Sequence, residues 1–174
     1  MAIINIKSKE RKPAALLFFM FFSIVSATIT GASVRDAVFL TQFDKSYLPV
    51  MFITIAVVMA GVIALYKKLT AGQDQIFVIS ISGALFSVSL FLLQSNLSGL
   101  FIPVLYIWME VVTILSIFQF WILAGEIFNA RQAKRIFTLL GAGGSFAGMG
   151  AGYGIKPFVS TFGSDNLLFL TIFF

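Results

Sequence analysis

Between Gly99 and Ala124 the chain is apolar almost without interruption, and the only charge inside the run is Glu110. About 20 apolar residues suffice for a helix to cross a bilayer, so this stretch is long enough to do so. A carboxylate near the middle of such a helix costs about 3 kcal/mol to insert. A partner charge or a watery cavity offsets that cost. The basic stretch Arg131-Gln132-Ala133-Lys134-Arg135 follows, and then a glycine-laced apolar segment from Gly141 to Gly154.

The rest of the chain has the same character. Of its 174 residues 59% are apolar and only 11% charged, against about 25% in soluble domains. Mean hydropathy is +1.01. Cysteine and histidine are both absent, which excludes disulfides, Cys/His metal centres and histidine-based acid–base chemistry. No cofactor is implied. The basic balance, with a pI near 9.7, reflects where the lysines and arginines fall along the chain rather than nucleic-acid binding.

The expected fold is all-α: a multi-pass transmembrane helix bundle of about six spans. Full spans are read at residues 13–33, 49–66, 76–93, 99–124 and 136–159, and a sixth begins near Asn166. The nine residues from there to Phe174 rise only ~13 Å, less than half of the apolar core. The reading is therefore a single domain that ends within its sixth span, as a truncated or partial transporter would. Lys7, Lys9, Arg11 and Lys12 resemble a signal-peptide n-region, but the apolar run continues past the tolerable cleavage site Val25-Ser26-Ala27, so a retained first helix is expected.

Charge sets the orientation. With the N-terminus in the cytoplasm, the inner side holds Lys7, Lys9, Arg11, Lys12, Lys67, Lys68, Arg131, Lys134 and Arg135, and the outer side only Arg35, Lys45 and Lys156. Local signals agree. Asp44 or Ser46 can cap the second span, with Pro49 in its first turn. Residues 94–99 read as a polar hairpin, and Asn129 can cap a short helix carrying the basic stretch.

Several residues are candidates for contact with a polar solute. Ser23, Ser26, Thr30 and Ser33 share one face of the first span. Such a stripe either packs helix against helix or lines a cavity. Arg35-Asp36 follows, either as a local charge pair or as a guanidinium that grips phosphate or carboxylate. In a straight helix Arg35 points nearly opposite the hydroxyl stripe. Glu110 shares a face with Thr113 and lies opposite Gln119. It reads either as a structural partner of a basic residue on another span, Arg35 or Lys156, or as a substrate or coupling carboxylate. Glu126 reads as an anchor for Lys134 or Arg135.

The glycine-rich fifth span fits neither a dinucleotide fingerprint nor a phosphate loop. Its two rows of small residues, Gly144, Gly148, Gly152 and Gly143, Ala147, Ala151, suit close helix packing.

Three segments carry a resemblance: Val34-Arg35-Asp36-Ala37, Leu65-Tyr66-Lys67-Lys68-Leu69, and Glu110 through Phe120-Trp121 to Ala133-Lys134-Arg135. They resemble the nucleotide translocases, the ATP/ADP antiporters of plastids and intracellular bacteria with their free-living relatives, a group distantly similar to the major facilitator superfamily. The resemblance implies the N-terminal half of a transporter of about twelve spans in a bacterial inner membrane, completed by a C-terminal half or a second copy. It also implies a functional role for Glu110. Where that family carries a lysine early in span two, this chain has Phe52. The loop from Lys67 to Asp74 lacks the arginines of ordinary major facilitators.

The leading expectation is a secondary transporter for a small organic anion such as a nucleotide, working by alternating access. A non-transporting membrane anchor or regulatory module is the alternative, as is a major-facilitator transporter for another solute. An enzyme fits poorly without His, Cys or paired catalytic acids, and a pore lacks a charge ring or filter loop.

Overall fold

A computed structural model describes residues 8–94, 99 and 101–162, and their secondary structure is helical with no strand. The helices are α1 (Ser8–Gln42), α2 (Leu48–Thr70), α3 (Gln75–Gln94), α4 (Phe101–Ile127) and α5 (Ala130–Phe162), with a short 3₁₀ turn at Lys45–Tyr47 ahead of α2. The expected sixth span lies outside the described residues. So does most of the 94–99 hairpin, although Gly99 adopts a φ of 54°, a left-handed conformation that favours glycine.

Among the described residues four helices, α1 to α4, are long and apolar enough to cross a membrane. This is fewer than the five full spans expected. α5 has the length, 33 residues, but its seven glycines between 141 and 154 and its basic first turns dilute its apolar character.

Helix boundaries follow local chemistry. α1 continues nine residues beyond the expected end at Ser33, straight through Arg35-Asp36, because no strong breaker occurs before Asp44. Asp44 caps the 3₁₀ turn, accepting from the Ser46 backbone N–H at 2.8 Å. Hydrogen bonds from the Ser46 backbone and hydroxyl hold the Asp44 carboxyl below its usual pKa. Proline then stands at the start of α2. Asp74 caps α3, accepting from the N–H groups of Ile76 at 2.8 Å and Phe77 at 3.2 Å. Asn129 and Gln132 form a reciprocal capping box at 3.0 and 3.1 Å. The helix it opens is the whole of α5 rather than a short one.

α4 is the central helix, packed against α1, α2 and α3, while α5 packs on α1. The pairings give the helix directions. Arg35 meets Glu110 and Phe21 stacks on Phe120, so α1 and α4 are antiparallel. Ser89 meets Trp108 and Ser82 meets Gln119, so α3 and α4 are antiparallel as well. Glu10 meets Gln132 and Ile29 lies beneath Gly148, so α1 and α5 run parallel. Successive helices therefore alternate in direction, and the basic residues of α1's start, α2's end and α5's start gather at one end of the bundle.

At that end Glu10, with a side chain only 7% exposed, accepts from Gln132 Nε2 at 2.9 Å and lies 3.5 Å from Arg135 Nη2. The anchor for Arg135 is thus Glu10 rather than Glu126, which is exposed and forms no ion pair among the described residues. Glu10 stands on the buried face of α1 where α5 begins. Leu17, Phe120, Leu123, Phe128, Ile136 and Leu140 form an apolar core shared by α1, α4 and α5.

The α1–α5 contact depends on glycine. A Cβ at Gly144 would lie 2.9 Å from Phe21, and one at Gly143 would lie 3.1 Å from the Phe18 ring and 3.2 Å from the Phe18 carbonyl. Phe21 cannot easily give way, because it stacks on Phe120 with centroids 4.5 Å apart and meets Trp121 edge-on. Gly148 is looser, 3.8 Å from Ile29, and Gly152 has nothing within 4 Å. Overpacking of this kind costs about 1–3 kcal/mol. Gly143→Val and Gly144→Val are therefore expected to lower unfolding free energy in mixed micelles by about that much, while Gly152→Ala leaves it unchanged. Equal effects at positions 144 and 152 would contradict the assigned interface.

Candidate functional site

Two polar features interrupt the apolar bundle. The first lies between α1 and α4. The uninterrupted helix α1 turns Arg35 towards α4, where its side chain is 11% exposed. Its Nη1 donates to Glu110 Oε2 and its Nε to Asp36 Oδ1 at 3.0 Å. The guanidinium carbon sits 4.4 Å from the centre of the Tyr106 ring, within cation–π range. Tyr106 is held in turn against Phe39 at 4.8 Å. Of the two basic residues considered as partners for Glu110, Arg35 is the one seen to pair with it. Lys156 lies in α5, and its side chain is outside the described part.

The charge balance of this cluster matters. One guanidinium faces two carboxylates, a formal charge of −1 when all three are ionised. Arg35 directs both its Nε and its Nη1 to protein acceptors. An anion can thus engage it fully only after Glu110 moves away.

The second feature is a cavity of about 440 Å³ bounded by α1, α3 and α4. Ser23, Thr28, Ser87, Thr113, Ser116 and Gln119 give it polar points, and Met20, Ile24, Phe86, Leu90 and Met109 are among its apolar walls. Among the described residues no charged side chain lines it. Of the hydroxyl stripe on α1 only Ser23 borders the cavity. Ser26 and Thr30 are buried away from it, and the Thr30 hydroxyl donates to the Ser26 carbonyl at 2.8 Å. Thr113 borders the cavity, whereas Glu110, one turn earlier, does not.

Gln119 is 3% exposed, and its Oε1 accepts from Ser82 Oγ at 2.9 Å. Its backbone carbonyl lies 3.5 Å from Gln75 Nε2, which also reaches the Tyr66 hydroxyl at 3.4 Å. Higher up, Trp108 Nε1 donates to Ser89 Oγ at 2.7 Å. Gln75, Ser82 and Ser89 were not singled out from the sequence. Their seven-residue spacing on an otherwise apolar helix places them on one face, and that face meets α4.

Removing Glu110 leaves the mostly buried Arg35 with Asp36 as its remaining carboxylate partner. Glu110→Ala is expected to destabilise the bundle by about 1–3 kcal/mol, in the range for hydrogen bonds to charged groups. The double variant Arg35→Met with Glu110→Met is expected to regain most of the loss. A double-mutant cycle from unfolding in mixed micelles measures the coupling, and additive effects would mean that the pair contributes nothing.

No protein-family model, curated protein or solved structure matches this chain.

Proposed function

We propose that the chain forms the membrane-embedded helix bundle of a secondary transporter for a small organic anion, with exchange of nucleotides as the version the motif resemblance favours. The observation that carries this reading is the Arg35–Glu110 pair between α1 and α4. Ionised groups are costly within spanning helices, and where they occur they commonly serve a transport pathway. In this reading Glu110 is an internal competitor. It occupies Arg35 when the site is empty, and an incoming carboxylate or phosphate displaces it. Such an exchange of partners gives α1 and α4 two arrangements, as alternating access requires. α5 and a sixth helix complete a half of six spans, joined by a second half or a second copy.

The bundle also has its basic residues at one end, which supports an N-terminus in the cytoplasm of a bacterial inner membrane. The absence of cysteine makes single-cysteine labelling a clean check. A cysteine at Lys45 should react with an impermeant maleimide in intact cells, and one at Lys67 or Arg131 only after permeabilisation. The reverse pattern would invert the topology.

A second reading, a non-transporting anchor or regulatory module, is favoured by the number of acceptors already on Arg35. Reconstituted proteoliposomes separate the two. For a transporter, the folded full-length protein exchanges labelled nucleotide above empty vesicles, and Glu110→Gln or Arg35→Ala reduces exchange at least tenfold. For a module, neither variant affects activity beyond its effect on stability. No uptake of nucleotide by verified folded protein sinks that cargo, and loss of exchange for every organic anion tried sinks the transporter.

A further inference from the structure

We infer that the basic end of α1 and α5 binds anionic phospholipids, with headgroups on exposed lysines and arginines and acyl chains against the outer face of α1. The inference requires the bundle to lie in a bilayer but not to transport a solute, so it is independent of the Arg35–Glu110 reading.

The first observation is a local excess of charge. Glu10 meets both Gln132 and Arg135, so residues 9–12 of α1 and 131–135 of α5 lie at one height in the bundle. These two stretches carry six cations, Lys9, Arg11, Lys12, Arg131, Lys134 and Arg135, and one carboxylate, Glu10. That carboxylate is 7% exposed and turned inward to Gln132 and Arg135. Even with Glu126 at the end of α4, the cations exceed the carboxylates by four. Lys9, Arg11, Lys12, Arg131 and Lys134 are exposed, and none forms an ion pair among the described residues. Like charges three or four residues apart repel each other on a helix. Lys9 with Lys12 and Arg131 with Lys134 are such pairs. An anionic surface relieves that repulsion, and each cation near it strengthens attachment about fivefold.

The second observation favours a lipid over a soluble anion. Lys9, Lys12, Leu16 and Phe19 follow one another at intervals of three, four and three, which puts them on one face of α1. All four are exposed, Leu16 by 72% and Phe19 by 65%. The face passes from charge to apolar surface over a depth of about 15 Å, which stays within one leaflet. A free phosphate would meet only the lysines. A zwitterionic lipid would bring them a headgroup without net charge. An anionic phospholipid matches both ends of the face.

The test titrates the purified full chain in mixed micelles with pyrene-labelled phosphatidylglycerol or phosphatidylcholine and reads energy transfer from tryptophan. Salt is held at about 0.15 M, where exposed charges more than ~8 Å apart are screened. Phosphatidylglycerol should reach half-saturation at a mole fraction at least tenfold below that of phosphatidylcholine. The double variants Lys9→Gln with Lys12→Gln and Arg131→Gln with Lys134→Gln should each raise that mole fraction at least fivefold. These side chains are exposed and unpaired, so unfolding midpoints in phosphatidylcholine micelles should not change. Lys67→Gln with Lys68→Gln removes two charges from the end of α2, which packs on α4, and should have less than a twofold effect. Equal half-saturation by the two lipids overturns the inference. An effect of the α2 variant as large as the others also overturns it, because the attraction then belongs to the whole basic end. Displacement of the labelled lipid by millimolar inorganic phosphate overturns it too, and assigns the cations to a soluble anion.

Discussion

A guanidinium in an apolar bundle must be matched by an acceptor, and α4 is the neighbouring helix that brings Arg35 a carboxylate. That requirement fixes the height at which α1 and α4 meet. With Glu110 opposite Arg35, Phe39 falls against Tyr106 and Phe21 against Phe120. The aromatic contacts at both ends of the α1–α4 seam thus share one register. A shift by a single turn would separate the charges and break both ring contacts together. The apolar contacts supply most of the attraction, but they are far less particular about register than the ion pair.

The opposite side of α1 is governed by size rather than charge. α5 approaches closely because Gly143 and Gly144 leave room for Phe18 and Phe21. In a membrane, where lipid is as apolar as leucine, such close packing is a main source of helix association. The same ring, Phe21, stacks on Phe120 of α4 and meets Trp121. The glycine contact and the α4 seam are therefore coupled through one side chain. Near the basic end the Glu10 cluster adds a polar tie between α1 and α5.

Much of this was legible in the sequence because the bilayer makes apolar runs and isolated charges conspicuous. Glu110 stood out as the one charge in its run, and Arg35 was among its named partners. The small-residue rows of α5 pointed to close packing, although the rows could not tell Gly144, which is pressed against Phe21, from Gly152, which has open space. That difference depends on which α1 side chains face each glycine, which is a tertiary fact. α1 outruns the span at residues 13–33 because backbone hydrogen bonding continues through the charged pair Arg35-Asp36 to Gln42. The polar face of α3 is inconspicuous in the sequence. Serines in an apolar helix are common, and only their spacing with Gln75, together with Gln119 and Trp108 on a different helix, gives them a shared role.

The two polar features divide α4 between them. Glu110 and Gln119 are nine residues apart, about 14 Å along the axis and on opposite faces. Glu110 looks to α1, and Gln119 to α3 and the cavity. Direct contact between the two is therefore excluded, yet they are not mechanically separate. α1 carries Arg35 and also forms one wall of the cavity through Met20, Ser23 and Thr28. Any displacement that parts Arg35 from Glu110 by moving α1 relative to α4 must reshape that wall. The coupling needs no chain of contacts between the two features, because both read the position of one rigid helix against another.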